Sequence, residues 1–298
     1  MDPNYLAAQP VELGGVSRPR VQLQDVYSTY TGQFRRWFGV TAPTSVLASV
    51  VLLLADRRIR AIYSRLPFRE IQYHWGEIGE AFVLRFGAFF ISWLLGCIAL
   101  AAIATIVNGL DADDASEVWK SDSYQKAREH FGMLLWTALF TYCAFLVGMA
   151  IVEIVEVALS RVVGWSHFAR FSYTVGIIGY VAIASIISWF GMAIPLILSG
   201  NAGAWAALKK SFRLSNGNEV FLFLLVVESV LGSYLAWYGV HYGLSFLFPA
   251  QLRFTAWYGW LAYFMGVLAA AAVEPPMFIG FSLLAANSSG LTNAGGRE

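Results

Sequence analysis

Long uncharged apolar runs alternate along this chain with shorter polar segments. Six runs stand out: Trp37–Ala55, Phe86–Leu110, Phe131–Val152, Phe171–Leu198, Val220–Phe248 and Phe254–Ala286. About 20 apolar residues suffice to cross roughly 30 Å of hydrocarbon, so each run predicts a membrane-crossing element. These elements are helices, because lipid offers no partner to an unpaired backbone group, and none of the runs alternates as a barrel strand does. The expected fold is therefore all-α: a polytopic bundle of about six transmembrane helices with short interfacial amphipathic helices. The first run, 19 residues with Pro43 inside it, also fits a re-entrant or interfacial helix. The sixth is interrupted at Glu274-Pro275-Pro276.

Small residues in the runs suit close helix packing: Gly176 and Gly179, Gly232 and Ser233, and Ala269–Ala272. Aromatics gather where the fifth run ends and the sixth begins, at Trp237, Tyr238, Tyr242, Trp257, Tyr258, Trp260 and Tyr263. Such a belt predicts that these two helix ends share one membrane face.

The polar segments differ in character. Asp56–Arg85 carries six arginines and reads as a basic loop, Asp111–Glu129 as an acidic loop, and Gly200–Glu219 holds Lys209, Lys210 and Arg213. With six spans and the N-terminus inside, Lys and Arg divide 11 inside to 9 outside, which does not decide orientation. Three run entries share a pattern, Phe five residues before Gly with arginine between: Phe34 to Gly39 (Arg35, Arg36), Phe82 to Gly87 (Arg85) and Phe212 to Gly217 (Arg213). Preceded by short amphipathic stretches such as Ala204–Arg213, they predict interfacial helices that direct Arg towards lipid headgroups, with Gly turning the chain into the bilayer. Arg35, Arg36, Arg85, Lys209, Lys210 and Arg213 are thus the candidate headgroup-contacting residues. Arginines and aromatics flanking unrelated spans give the same appearance without a repeat.

Composition agrees with this reading. The chain is 58% hydrophobic and 13% charged, with 22 Phe, 14 Tyr and 11 Trp, against about a quarter charged in soluble domains. A net charge of +1 provides no field for nucleic acid. Cys97 and Cys143 lie inside apolar runs and read as buried small hydrophobes rather than a disulfide framework. No cleavable signal peptide is evident near the N-terminus, and the first run is expected to serve as its own insertion signal. Residues 1–24 read as a disordered tail, 25–286 as a single transmembrane domain and 287–298 as a flexible tail.

The stretch Ala207-Leu208-Lys209-Lys210-Ser211-Phe212-Arg213-Leu214-Ser215-Asn216-Gly217, with the apolar run from Val220, resembles an Ala-Leu-basic-basic-Ser-aromatic-x-Leu-x-x-Gly element. That element belongs to the bacterial membrane domain found with glycerophosphoryl diester phosphodiesterases and to its stand-alone polytopic relatives. Asp25–Gly39 is similar to the opening of the same family. The matching motifs cover about a fifth of the chain. The chain departs from the family at the end of the last span, where Phe281–Asn287 replaces a Tyr-Tyr-Asp-Leu-Arg-like ending. The resemblance implies a six-helix fold with Lys209, Lys210 and Arg213 cytoplasmic, and in the absence of another targeting cue a bacterial inner membrane is the expected destination. It implies no phosphodiesterase activity, which resides in a separate soluble barrel.

Candidate chemistry is sparse. A carboxylate at a bilayer centre costs about 2.5–3.5 kcal/mol on insertion scales, so Glu228 and Glu274 are the candidate intramembrane carboxylates. In antiparallel neighbours they fall at depths differing by roughly 5 Å, where they would share a proton or hold a cation; hydrogen bonding to nearby Ser, Tyr or backbone groups is the plainer alternative. Pro275 and Pro276 remove two donors and free carbonyls, as in the broken helices of transporters. Glu153 and Glu156 share a helix face but read as a solvated helix end. His241 reads as a packed interfacial residue, and His74, His130 and His167 lack a second His at metal spacing. No Gly-x-Ser-x-Gly elbow or phosphate-binding Gly-x-x-x-x-Gly-Lys loop occurs. The expected function is a non-enzymatic scaffold or assembly factor at the inner leaflet. The alternatives are a small transporter or channel using Glu228 and Glu274 and, last, a membrane-embedded lipid-modifying enzyme. The expected partners are the lipid bilayer and other membrane proteins, with no nucleic acid, cofactor or metal.

Overall fold

The computed structural model describes residues 21–65, 74–109, 120–163, 179, 181–182, 184–199, 203–253 and 255–294. Every regular element among them is helical, and the fold is an all-α bundle. In chain order the helices are α1 (Leu23–Gly32), α2 (Phe34–Tyr63), α3 (Trp75–Gly109), α4 (Lys120–Glu129) and α5 (Phe131–Val163). They continue with α6 (Ala184–Ser199), which turns at Gly191 and Met192. The rest are α7 (Ala204–Ser215), α8 (Glu219–Leu247), α9 (Ala250–Arg253), α10 (Ala256–Val273) and α11 (Pro275–Ala294).

Among the described residues, five helical segments are long and apolar enough to cross a membrane: Phe34–Tyr63, Trp75–Asn108, Phe131–Val152, Glu219–Leu247 and Ala256–Ser288. These fit a multi-pass membrane protein. The last combines α10 and α11 across the bend at Glu274. The first run is thus a full-length helix of 30 residues, about 45 Å at 1.5 Å per residue. That length spans the hydrocarbon and leaves the Asp56–Tyr63 end beyond the apolar run. Much of the expected fourth span, Phe171–Leu198, lies outside the described residues; its C-terminal half is α6.

The expected loop Asp56–Arg85 needs correction. Its first eight residues continue α2 and its last eleven begin α3, so the two helices form a hairpin that reaches past the apolar runs. Arg58 Nη2 meets Glu80 Oε1 at 2.8 Å, tying the two extensions together. Arg60 is paired with Asp56 one turn earlier in α2. Helical hydrogen bonds are internal to the segment, so a helix crosses from lipid to water without backbone penalty. The expected acidic loop is corrected in the same way: Lys120–Glu129 is helical, while residues 110–119 are outside the described set.

The repeated Phe-to-Gly entry does not hold as a common device. Gly39 lies inside α2 and Gly87 inside α3, so Arg35 and Arg36 sit in the first turn of a spanning helix and Arg85 well within another. Only Gly217 makes a turn, with φ 91° between α7 and α8, a backbone state natural to glycine.

Burial concentrates at the end of the bundle where α3 finishes. Ala101–Ala104 are fully buried, and Ile106 and Val107 nearly so. Val26, Trp37, Val40, Ile103, Leu225 and Ile279 form a cluster there from five helices, and a second cluster joins α3, α4, α5, α6, α7, α8 and α11. Across the bundle, α8 packs on α10 and α11 through glycines. A Cβ on Gly232 would lie 2.6 Å from Val273 Cγ1, one on Gly266 2.5 Å from Trp237 Cδ1, and one on Gly280 2.3 Å from Leu225 Cδ1. This contact sets an antiparallel register. Of the expected aromatic belt, Tyr238, Tyr242, Trp257 and Trp260 are exposed, and the Phe248 ring lies 5.7 Å from both Trp257 and Tyr258. Trp237 turns inward against Gly266 instead.

Gly266→Ala is expected to destabilise the protein in detergent by about 1–3 kcal/mol through overpacking against Trp237. Gly259→Ala on the same helix, where a Cβ meets nothing within 4 Å, should be neutral or slightly stabilising. Melting temperatures of the two variants read the difference.

Candidate functional site

Several hydrogen-bonding groups gather at the break in the last span. Pro275 and Pro276 have no N–H, so the carbonyls four residues earlier, at Ala271 and Ala272, lose their helical donors. Both are taken up by side chains from the N-terminal part of the chain. Thr41 Oγ1 donates to Ala271 O at 2.8 Å and the Tyr30 hydroxyl to Ala272 O at 2.5 Å. The next carbonyl back, Ala270 O, accepts from Glu274 N at 3.2 Å and from Ser233 Oγ at 3.4 Å. The carbonyls expected to lie open to a ligand are therefore engaged within the protein.

The two candidate carboxylates are engaged as well. Glu274, half-buried at the junction of α10 and α11, accepts from Ser45 Oγ at 3.2 Å, one turn along α2 from Thr41. Glu228 lies on the exposed flank of α8 and accepts from the Tyr27 hydroxyl of α1. With Gly232 against Val273 and Leu225 against Gly280, Glu228 stands level with the first turn of α11, roughly 5 Å from the level of Glu274. Each carboxylate accepts from a hydroxyl on a different helix, Glu228 from α1 and Glu274 from α2. Sequence spacing gave the depth; the hydroxyl partners, some 200 residues away, had no local signal.

Helix α1 acquires its place from these bonds. Val26 is fully buried and Trp37 Nε1 donates to Thr29 O at 3.0 Å. Burial, and after it the hydrogen bond to the Glu228 carboxylate, hold the Tyr27 phenol above its ordinary value. Tyr27 is therefore a proton donor through the neutral range. The stability linked to keeping this phenol protonated in the fold is present below the ordinary tyrosine value and is lost as pH rises through the raised one.

The remaining candidates fall elsewhere. Lys209 and Arg213 are exposed on α7, and Lys210 is half-buried on another side of it. The buried face of that helix is Ala207, Leu208, Ser211 and Ser215, anchored by Ser211 Oγ donating to Trp189 O at 2.8 Å. Glu153 and Glu156 lie in α5, their side chains outside the described set. His241 Nδ1 is 3.0 Å from Trp237 O, and its ring packs on that indole at 3.8 Å. His74 contacts Glu77 at 3.3 Å, His130 lies 3.1 Å from Lys126 O, and His167 is outside the described residues. Among the described residues no group of three or more His, Cys, Asp or Glu could hold a metal.

Two apolar grooves lie beside α6, which sequence reasoning did not anticipate. One, of about 350 Å³, runs between α3, α5, α6 and α11 past Phe89, Gly96, Cys97 and Phe281. The other, also about 350 Å³, is bounded by α5, α6 and α7, with Lys209 on its wall. Compared with known protein families and with curated proteins, the sequence matches none.

Thr41→Val and Tyr30→Phe should each lower stability by about 0.6–1.7 kcal/mol, the range for interhelical hydrogen bonds in membranes, as read by melting in detergent. Tyr27→Phe should leave the bundle melting within about 1 kcal/mol of the parent while exposing α1 to limited proteolysis.

Proposed function

We propose that this protein is a non-enzymatic scaffold or assembly factor acting from the inner leaflet of a bacterial inner membrane. The observation that carries the reading is the outward face of α7. Lys209 and Arg213 are exposed one turn apart, flanked by Trp205 and Phe212, with 70% and 44% of their surfaces exposed. The helix contains no acidic residue. Aromatics entering the headgroup region and cations facing phosphate form an interfacial helix that reads an anionic leaflet. The likeness of this segment to the membrane domain that accompanies glycerophosphoryl diester phosphodiesterases supports the cytoplasmic placement.

The transporter reading rests on Glu228 and Glu274. It is weakened by the Tyr27 and Ser45 hydroxyls bonded to them and by the occupied carbonyls at the proline break. A solute would have to displace each of these partners.

The two readings separate by variant. In the scaffold reading, Lys209→Gln, Lys210→Gln and Arg213→Gln together reduce co-isolation of partner membrane proteins after in-cell cross-linking at least fivefold. Glu228→Gln and Glu274→Gln leave it within twofold. An unchanged partner set in the triple variant, or ion flux in reconstituted vesicles abolished by Glu274→Gln, would replace this reading with the transporter.

A further inference from the structure

From the two grooves beside α6, we infer that the protein binds one anionic phospholipid at a defined site, an acyl chain lying between α3, α5, α6 and α11 and the headgroup phosphate held by Lys209 and Arg213. This deepens the proposed reading of the inner leaflet and rests on it for the sidedness of α7. The grooves themselves do not depend on it.

The grooves abut, sharing the Thr141 and Phe190 side chains as a common wall. Together they lead from Lys209 past Phe140, then inward to Phe281. Their lining is chemically hydrocarbon even where the residue is polar. Thr141 Oγ1 donates to Thr137 O at 2.9 Å and accepts from Trp93 Nε1 at 3.0 Å. Thr137 Oγ1 donates to Met133 O at 2.9 Å and Ser92 Oγ to Ala88 O at 2.9 Å. With each hydroxyl bonded within the bundle, the groove favours an apolar occupant over water or a polar solute.

Each groove, at about 350 Å³, falls within the usual range for small-ligand pockets, about 300–1,000 Å³.

Charge specifies the headgroup. Lys209 lines the outer groove, Arg213 follows one turn later, and neither has an ion-pair partner among the described residues. Two cations at i and i+4 repel each other, and a phosphate placed between them reverses the sign of that interaction. Trp205 and Phe212 frame the mouth, with Phe140 and Trp205 ring centroids 6.0 Å apart and Trp189 and Phe212 5.8 Å apart. Aromatic rings of this kind sit at headgroup depth.

Gly96 provides a clean obstruction. A Cβ there meets nothing within 4 Å, and replacing a helical glycine favours the helix itself. The test uses the full chain in nanodiscs and phosphatidylglycerol carrying a photoreactive diazirine in one acyl chain, with phosphatidylcholine of the same design as the comparison. Cross-links are expected on the peptides holding Phe89–Leu100 and Met277–Phe281, at least tenfold stronger with phosphatidylglycerol. Gly96→Phe should abolish them. Lys209→Gln with Arg213→Gln should reduce the preference to about twofold without moving the cross-links. Should Gly96→Phe fail to accumulate, Gly96→Leu and competition by unlabelled phosphatidylglycerol read the same site. Equal labelling by the two lipids, or cross-links spread over the outward face of α8 and unaffected at position 96, overturns the site. Those results leave the scaffold reading intact if partner co-isolation still depends on α7; loss of that dependence with a retained cross-link overturns the scaffold alone.

Discussion

Two backbone carbonyls in the last span, those of Ala271 and Ala272, constrain how the rest of the chain packs. A Pro-Pro pair within an apolar helix leaves acceptors that lipid cannot satisfy. The bend can therefore exist only where other elements bring donors. Thr41 and Tyr30 supply them, which fixes the start of α2 and the whole of α1 against the junction of α10 and α11. Other contacts follow from that docking. Ser45, one turn beyond Thr41, reaches Glu274, Tyr27, one turn before Tyr30, reaches Glu228, and Val26 and Trp37 enter the core. A 10-residue helix too short to hold itself in isolation is thus ordered by tertiary bonds from three of its side chains or neighbours.

This arrangement changes the meaning of the intramembrane acids. An acidic residue in a span is a functional signal by default, because its insertion cost calls for compensation. Here the compensation is architectural: each carboxylate accepts from a hydroxyl of the N-terminal helices, and the carbonyls freed beside one of them are filled. Polarity inside this bundle fastens α1 and α2 to the last span.

The spans were legible in the sequence because hydropathy is a property of the run itself. Their ends were less so. Arg57, Arg58 and Arg60 stop an apolar run, but they do not stop a helix whose backbone bonds are internal, and Glu80 on the facing helix α3 balances Arg58. Glycine misled in the other direction: Gly39 and Gly87 looked like turns and are accommodated inside helices, since lipid offers the backbone no partner outside the helix and the propensity cost is only about 1 kcal/mol. The proline break and the depth of the two acids were readable from position alone. Their partners were not, because Tyr30 and Ala272 are 242 residues apart in sequence. The grooves beside α6 had no sequence signature either, as they arise from the spaces between helices.

Two pairs of cations, at opposite ends of the bundle, are partnered differently. At the α2–α3 hairpin, Arg58 and Arg60 are neutralised by Glu80 and Asp56 within the protein. At α7, Lys209 and Arg213 face outward with no acid on their own helix. A like-charged pair at i and i+4 costs only about 0.2–0.5 kcal/mol, a penalty a docked helix carries easily when Ser211 and Leu208 hold its other face. Among the described residues no acidic side chain pairs with either cation, and an anion from outside the chain would remove that cost. Since the groove running inward from Lys209 is walled by hydrocarbon, the anion that suits both features is one attached to an acyl chain.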